Sequence, residues 1–409
     1  VDGNVLFESK IFYMIITVIG WYGTETIGDR AILAGLISLF NKSYSHFEIK
    51  IGSLYPFFTE RTVVEDVGFY TDITNKNIKV DIFNSTSTSE LVAAIKCSDL
   101  VVMGGGPLMD LHELFMIEYA FKKAKKLGVQ TALCGCGVGP LFHKKFRKSV
   151  LNIVANSDIV ILRDELSKNK LREIYHEFSK EFDSESILTS YDPAVECALE
   201  YKKLPESFIK PSNIIVADSS PRSKDYVAVN LRSFPSEYSK DNILSDINKQ
   251  LGLFVKDIAS RYLHLEIKLI PMHYFHIGGD DRVFLNQIAL ESDMKNISVQ
   301  NVPLTLKETM SVFKNSDFGI GMRFHSVILQ TMVAGNNFVL DYTEPRTGKI
   351  SGFLRDIDHS KFFDERYIAL QSDCIDGKII KDTEARFAFD SRVTERLGVY
   401  VDKLKYLQR

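Results

Sequence analysis

The sequence predicts an α/β protein built of two parallel-sheet domains that face each other across a cleft. Three observations predict this class. A theme of short apolar strand, glycine-rich or polar corner and helical pattern recurs through the first half of the chain. A composition break at 201–224 follows, "YKKLPESFIKPSNIIVADSSPRSK", rich in Pro, Ser and Lys, after which the theme restarts. The length of 409 residues also exceeds what one core comfortably holds, so two domains of about 200 residues each are expected.

The first unit is "IITVIGWYGTETIGDRAILAGLISLF" (15–40), in which Gly20, Gly23 and Gly28 form the corner and Ala31 to Phe40 are apolar at helical spacing. The theme returns at "DLVVMGGGPLMD" (99–110), "TALCGCGVGP" (131–140) and "DIVILRDELSKNKL" (158–171). There Asp164 reads as a helix N-cap, since a short carboxylate accepts bonds from the free amides of a first turn. Strands alternating with helices at this spacing imply Rossmann-like parallel sheets with right-handed crossovers. Ligands bind such sheets beyond the carboxyl ends of the strands, so the four corners open onto one edge.

The expected domains are 1–205 and 225–378, joined by a linker at 206–224, with a C-terminal helical segment at 379–409 packing back on the first domain. After the linker the expected elements run in order: strand "YVAVNLR" (226–232), helix near 241–260, strand "LEIKLIPMH" (265–273) and helix near 281–291, begun by the adjacent Asp280 and Asp281. Strand "ISVQNV", helix "LKETMSVFKN", strand "DFGIGM", helix "SVILQTMVA" and strand "NFVLDY" complete it. No tandem repeat short enough for a solenoid is present.

Charge and cysteine usage narrow the function. Fifty Lys plus Arg against 53 Asp plus Glu leave a net charge of -3, without the basic balance of a nucleic-acid binder. The five cysteines Cys97, Cys134, Cys136, Cys197 and Cys374 form no CxxC pair and have no histidine at zinc spacing, so no metal site is expected and a reduced, cytoplasmic setting fits. Cys134 and Cys136 read as small core residues, and His273 and His276 as structural. The apolar run "IFYMIITVIGWYG" (11–23) is too short to span a bilayer, lacks signal-peptide flanks and reads as a buried strand.

The densest chemistry lies in "GMRFHSVILQTMVAG" (321–335), where a strand becomes a helix and Gly335 is placed to end that helix in the left-handed conformation. An anion at this corner meets free amides, the positive end of the helix dipole and the Arg323 guanidinium, which can bond two oxygens at once. A helix N-terminus disfavours an imidazolium and a bound anion favours it. A histidine at position 325 that gains its proton as an anionic substrate arrives suits general acid work. The same histidine could equally cap the helix or satisfy a buried carbonyl. Other corner residues carry paired readings: Gly104, Gly105 and Gly106 permit a tight turn or the approach of a ligand to backbone. Asp29 caps a helix or grips a sugar hydroxyl, and Arg163 faces the cleft or pairs with a neighbouring acid.

In order and wording these corners resemble the polysaccharide pyruvyl transferase family. The matching pieces are "GWYGTETIGDRAIL" (20–33), "DLVVMGGGPLMD" (99–110), "GVGPL" (137–141), "ILRDELS" (161–167), "DPA" (192–194), "VAVNLR" (227–232), "IPMH" (270–273) with "DD" (280–281), and "GMRFHSVILQTMVAG" (321–335). The resemblance implies a fold like that of two-domain (GT-B-like) glycosyltransferases. It also implies transfer of a pyruvyl group from phosphoenolpyruvate to two hydroxyls of a sugar in a cell-surface polysaccharide or its precursor, making a cyclic ketal without a cofactor.

On this resemblance His325 is the catalytic acid, and Arg323 with a lysine after the following strand holds phosphoenolpyruvate, Arg232 assisting. The family's tyrosine is matched by Tyr342 in "YTEPRTGKISGF" (342–353). The lysine is displaced there, so Lys349 and Arg346 compete for its place. Gly23, Gly28, Asp29, Gly104, Gly105, Gly106 and Arg163 are expected to line the cleft or the acceptor site. Segment 52–75, containing "SLYPFFTERTVVEDVGFY", is expected as an aromatic acceptor loop or else a core strand. The implied acceptor is a glycan or lipid-linked sugar, which would bring the chain into peripheral contact with the inner face of a membrane. Two rivals remain: a nucleotide-sugar glycosyltransferase and a non-catalytic glycan-binding relative. Against the first, the pair of glutamates eight residues apart that many such enzymes present is absent, Glu344 being followed at that distance by Gly352. Against the second stand Arg323 and His325.

Overall fold

The computed structural model of the chain describes residues 13–24, 26–206, 225–238, 243–275 and 279–407. The expected linker beyond residue 206 and His276 lie outside the described residues.

Two parallel sheets form the frame. The first comprises β1 (Tyr13–Ile19), β2 (His46–Ser53), β3 (Val80–Asn84), β4 (Leu100–Gly104), the short β5 (Pro107–Leu108), β6 (Gln130–Val138), β7 (Ile159–Leu162) and β8 (Ile187–Thr189). Their order is β3-β2-β1-β4-β6-β7-β8, with β5 paired to β6 off the path. The second comprises β9 (Tyr226–Asn230), β10 (Glu266–Leu269), β11 (Ile297–Val299), β12 (Gly319–Gly321), β13 (Asn337–Asp341) and β14 (Tyr367–Ala369), ordered β11-β10-β9-β12-β13-β14. In each sheet the chain winds outward from a central strand, then returns to its other side. Crevices therefore open between the carboxyl ends of β1 and β4 and of β9 and β12, where doubly wound sheets bind ligands.

The crossovers of the first sheet are α1 (Ile27–Ser43), α2 (Pro56–Thr74), α3 (Thr88–Lys96), α4 (Leu114–Leu127), α5 (Lys144–Ala155), α6 (Glu165–Glu177) and α7 (Pro193–Lys203). Those of the second are α8 (Ile243–Arg261), α9 (Asp281–Ser292), α10 (Leu306–Asn315), α11 (Phe324–Val333) and α12 (Lys349–Ile357), before the terminal α13 (Arg392–Tyr406). Strands covered on both faces must be apolar throughout, and β4, "LVVMG", is buried at every residue. Helix α1 starts where the Thr26 hydroxyl accepts from the Asp29 amide. It packs on α7 so closely that a Cβ at Gly35 would lie 1.9 Å from the Pro193 carbonyl oxygen.

Segment 52–75 is neither loop nor strand. After β2 it forms α2, with Pro56 in the first turn and Asn75 in the left-handed conformation at its end. Its buried residues Thr59, Asp66, Phe69, Tyr70 and Ile73 recur at helical rather than alternating spacing, which settles the element type. Among the described residues of the terminal segment, Arg392–Tyr406 alone is α-helical. Before it, the Phe387 amide donates to the Gly335 carbonyl (2.7 Å), tying the chain to the end of α11. Helix α13 lies against the first domain: the Tyr44 hydroxyl donates to Leu404 O (3.0 Å) and the Tyr400 hydroxyl to Tyr191 O (2.6 Å).

The two sheets dock with their carboxyl edges together. The Ile27 amide donates to Met272 O (3.0 Å), and Thr26 and His273 form an antiparallel bridge. Arg30 bonds Asp66 through two nitrogens (2.5 and 2.6 Å), and the same Asp66 accepts the Leu306 amide at the start of α10 (3.1 Å). Opposite, the Tyr191 hydroxyl donates to Asp356 O (2.9 Å) and Arg396 pairs with the Asp356 carboxylate (2.7 Å).

Candidate active site

The corner after β12 sits at the meeting of the two sheets. Arg323 occupies the N-cap position of α11, and no side chain caps that helix, so its first-turn amides have no side-chain acceptor. The Arg323 amide itself donates to the Asn230 side chain at the end of β9 (3.0 Å), tying this corner to the neighbouring strand across the crevice. His325, one turn position on, reaches into the interdomain gap. Its side chain keeps 19% of its surface exposed and its Nε2 lies 3.5 Å from Oδ2 of Asp192, the residue that caps α7.

Arg323 is not a free anion-binding fork. Its Nε and Nη2 reach both oxygens of Asp281 (2.5 to 3.0 Å). Asp281, at the start of α9, also accepts the Met272 and His273 amides (3.0 and 3.1 Å). Burial opposes the Arg323 charge, but Asp281 outweighs it and holds the guanidinium protonated. The sequence reading of Asp281 as a helix start stands, and its side chain has this second task. Beside the pair, burial first and then the Arg323 charge push the His273 imidazole down to about 4.

Around Tyr342, just past β13, three cations converge. Lys349 Nζ lies 5.3 Å from the Tyr342 ring centre and the Arg232 guanidinium 5.6 Å from it. Burial alone would raise the Tyr342 phenol, but Lys349, Arg232 and then Arg323 overcome it and hold the group below its usual range. Helix α12 begins at Lys349 and, like α11, has no side-chain cap. Arg346 points elsewhere: it pairs with Asp373 (3.2 Å), stacks on Tyr367 (5.4 Å) and is two-thirds exposed. Of the two competing cations the structure brings Lys349, not Arg346, to the corner, because α12 starts at 349 and turns that side chain back over Tyr342 and Phe324.

From the first domain, Gly28 lies against the His325 ring: a Cβ there would come within 2.1 Å of Nδ1. Next to it, Asp29 accepts the Thr26 hydroxyl (2.5 Å) while Thr26 caps α1, so the cap is Thr26 and Asp29 reciprocates. Burial pushes the Asp29 carboxyl up, against the pull of Thr26 and His325. Arg163, also buried, contacts Asp164 (3.3 Å) and Asp192 (3.7 Å), as the ion-pair reading expects, and stacks on Phe324 (4.4 Å). At the three consecutive glycines the space their Cβ atoms would need is filled by Leu36, Ile32 and Trp21, and Gly105 and Gly106 have left-handed φ of 65° and 71°, as a tight turn requires. Gly23 has a left-handed φ of 98° and abuts Ser53 and Tyr55.

Two recesses lie among these residues. One is shared by Arg163, Ser167 and Lys170 of the first domain and Tyr238, Glu344 and Lys349 of the second. The other lies in the first domain and is rich in hydroxyls, from Tyr22, Thr26, Thr59, Thr62 and Tyr70, with Asp29 among them. Sequence reasoning gave no site role to Asp192 or Asp281. The only local signal for Asp192 was "DPA", an aspartate before a helix-starting proline, which a structural cap explains by itself.

Comparison with known proteins agrees with this architecture. The sequence model of the family described as polysaccharide pyruvyl transferase matches residues 27–342. No curated protein matches the sequence. Among solved structures, the UDP-GlcNAc 2-epimerase of Methanocaldococcus jannaschii, in complex with UDP-GlcNAc and UDP, is similar at TM-score 0.55 and 14% identity, covering 97% of this chain and 100% of that one. The UDP-GlcNAc 2-epimerase of Neisseria meningitidis follows at TM-score 0.53 and 12% identity, covering 96% and 99%. A glycosyltransferase of Rickettsia africae is similar at TM-score 0.52 and 13% identity, covering 97% and 99%. At such identities the likeness is one of fold, which is GT-B-like.

Proposed function

The chain belongs to the polysaccharide pyruvyl transferase family, and on that premise we propose that it moves the pyruvyl group of phosphoenolpyruvate onto two hydroxyls of a glycan, forming a ketal and releasing phosphate. The observation that carries the reading is the convergence, at one sheet edge, of two uncapped helix N-termini, Lys349, Arg232 and Arg323 beside a partly exposed imidazole. Such a corner suits a small molecule bearing both phosphate and carboxylate.

The residues divide the work as follows. Lys349, Arg232 and the free amides of α11 hold the donor's oxygens, and Arg323, its fork taken by Asp281, adds field rather than direct bonds. His325 gives a proton to the methylene carbon, whose π electrons form the new C–H bond and leave the central carbon electrophilic. One sugar hydroxyl attacks that carbon and loses its proton. The C–O bond to phosphate then breaks, phosphate leaving with the electron pair, and the second hydroxyl attacks the resulting oxocarbenium carbon and loses its proton as the ring closes. Fixed positive charge at the departing phosphate contributes several kcal/mol of barrier lowering in sites of this kind, on the order of 3 kcal/mol per donor. The hydroxyl-rich recess with Asp29 offers hydrogen bonds and no unpaired cation, as a neutral sugar face requires. His325→Ala is expected to fold and to lose at least about a hundredfold in ketal formation, in line with removal of a general acid; near-normal turnover would take His325 out of the mechanism. Thermal stabilisation by phosphoenolpyruvate and not by UDP or GDP separates this reading from a nucleotide-sugar glycosyltransferase.

A further inference from the structure

We propose that Asp192 is a positioning residue that fixes the His325 ring through Nε2, so that Nδ1 is the nitrogen that hands over the proton. The reaction named here rests on the pyruvyl-transfer reading; the hold on the ring does not.

Asp192 is 1% exposed and uses its two oxygens differently. Oδ1 accepts the Ala194 amide (3.0 Å) and so caps α7. Oδ2 is sealed from solvent and makes no hydrogen bond, and the His325 Nε2 facing it at 3.5 Å is sealed and unpartnered too. A helix cap needs one oxygen, so capping leaves the second unexplained. The distance is slightly long for a hydrogen bond, as catalytic pairs often are before substrate tightens them.

Charge decides which atom owns the hydrogen. Burial works against an ionised Asp192, but His325, Arg163 at 3.7 Å and the Ala194 amide outweigh it and hold the carboxyl below the ordinary range. An ionised carboxylate only accepts, so the hydrogen between the two belongs to Nε2 of the ring. Because Nε2 is enclosed, the exposed fifth of the side chain comes from its other atoms. Gly28 completes the arrangement, since any side chain there would meet Nδ1 at 2.1 Å. In the transfer, the Nδ1–H bond breaks with its electrons staying on the ring, a C–H bond forms at the donor's methylene, and a neutral imidazole remains with its hydrogen toward Asp192.

The test is Asp192→Asn, which keeps an oxygen for the Ala194 amide but presents N–H donors to the ring. Nitrogen-15 spectra, recorded at a pH where the ring carries a single hydrogen, should show that hydrogen at Nε2 of His325 in the wild type, and at Nδ1 in the variant. The variant's kcat for ketal formation should fall at least about a hundredfold, the direction seen when a catalytic histidine is put in the wrong tautomer, with KM for phosphoenolpyruvate moved less than about threefold. If the variant does not fold, Asp192→Ser retains a capping oxygen without the carboxylate and should show the same kcat loss. An unchanged tautomer, or wild-type kcat in the folded variant, overturns the proposal, as does a raised KM with kcat intact. A tautomer switch in a protein that makes no ketal supports the hold of Asp192 and overturns only the reaction assigned to the site.

Discussion

At the scale of single residues, the site is shaped as much by missing side chains as by those present. Gly28 leaves room for the His325 ring, and Gly137 for the Arg163 guanidinium, whose Cζ would lie 2.5 Å from an added Cβ. Gly28→Ala, although it suits a helix, should cost about 1–3 kcal/mol through overpacking and displace His325, so melting temperature and ketal formation should fall together. Removing Arg323 has a different signature. Arg323→Ala should raise the requirement for phosphoenolpyruvate and also lose about 3–5 kcal/mol, because Asp281 would be left buried without its counterion. Lys349→Ala should weaken donor saturation with little loss of stability, and unchanged saturation would remove Lys349 from the donor site. The placing of Arg323 and His325 at one strand-to-helix corner was legible in the sequence because that corner is local. Asp192 and Asp281 were not, because each acts on a residue far away in the chain, and each has a helix-start role that accounts for it locally.

Between elements, the junction of α1 with the end of β10 is the sensitive point. His273 bridges Thr26 there and is held neutral, at about 4 against an ordinary 6.5. The unfolded chain takes up a proton below about 6.5 that the fold refuses until about 4. Stability is therefore full above that upper value and is lost as pH falls through the window, by up to about 3 kcal/mol. His273→Gln should flatten this part of the stability curve, measured by denaturant unfolding between pH 4 and 7; an unchanged slope would mean another group titrates there. Element type was readable wherever a buried parallel strand gave a continuous apolar run, as in β4, or a clear corner followed. It failed for α2, where "YPFF" drew attention to aromatics, while Phe69 and Tyr70 are turned into the core by helical periodicity.

Over the whole molecule, the site exists only because two sheets meet edge to edge. The Arg30–Asp66 pair, with side chains 8% and 1% exposed, helps to hold them, since Asp66 also accepts the Leu306 amide of the second domain. Asp66→Ala should destabilise the protein by about 3–5 kcal/mol and expose the cleft to protease; a cut pattern like wild type would show that the docking does not depend on this pair. The fold class was legible from the recurring strand, corner and helix, because each unit is local. The docking was not, since it depends on pairings between remote residues that no periodicity records. Among the described residues no helix is long and apolar enough to cross a membrane. The claim on which the rest depends is that the corner of α11 binds phosphoenolpyruvate beside a proton-giving His325. Its most direct test is to incubate wild type and His325→Ala with phosphoenolpyruvate and a panel of glycans, following phosphate release and the mass of each glycan. The account predicts a ketal-bearing glycan and matching phosphate from wild type, and neither above about one per cent of that level from a variant that still binds phosphoenolpyruvate. Equal turnover by the two proteins, or a wild type that neither binds the donor nor alters any glycan, would contradict it.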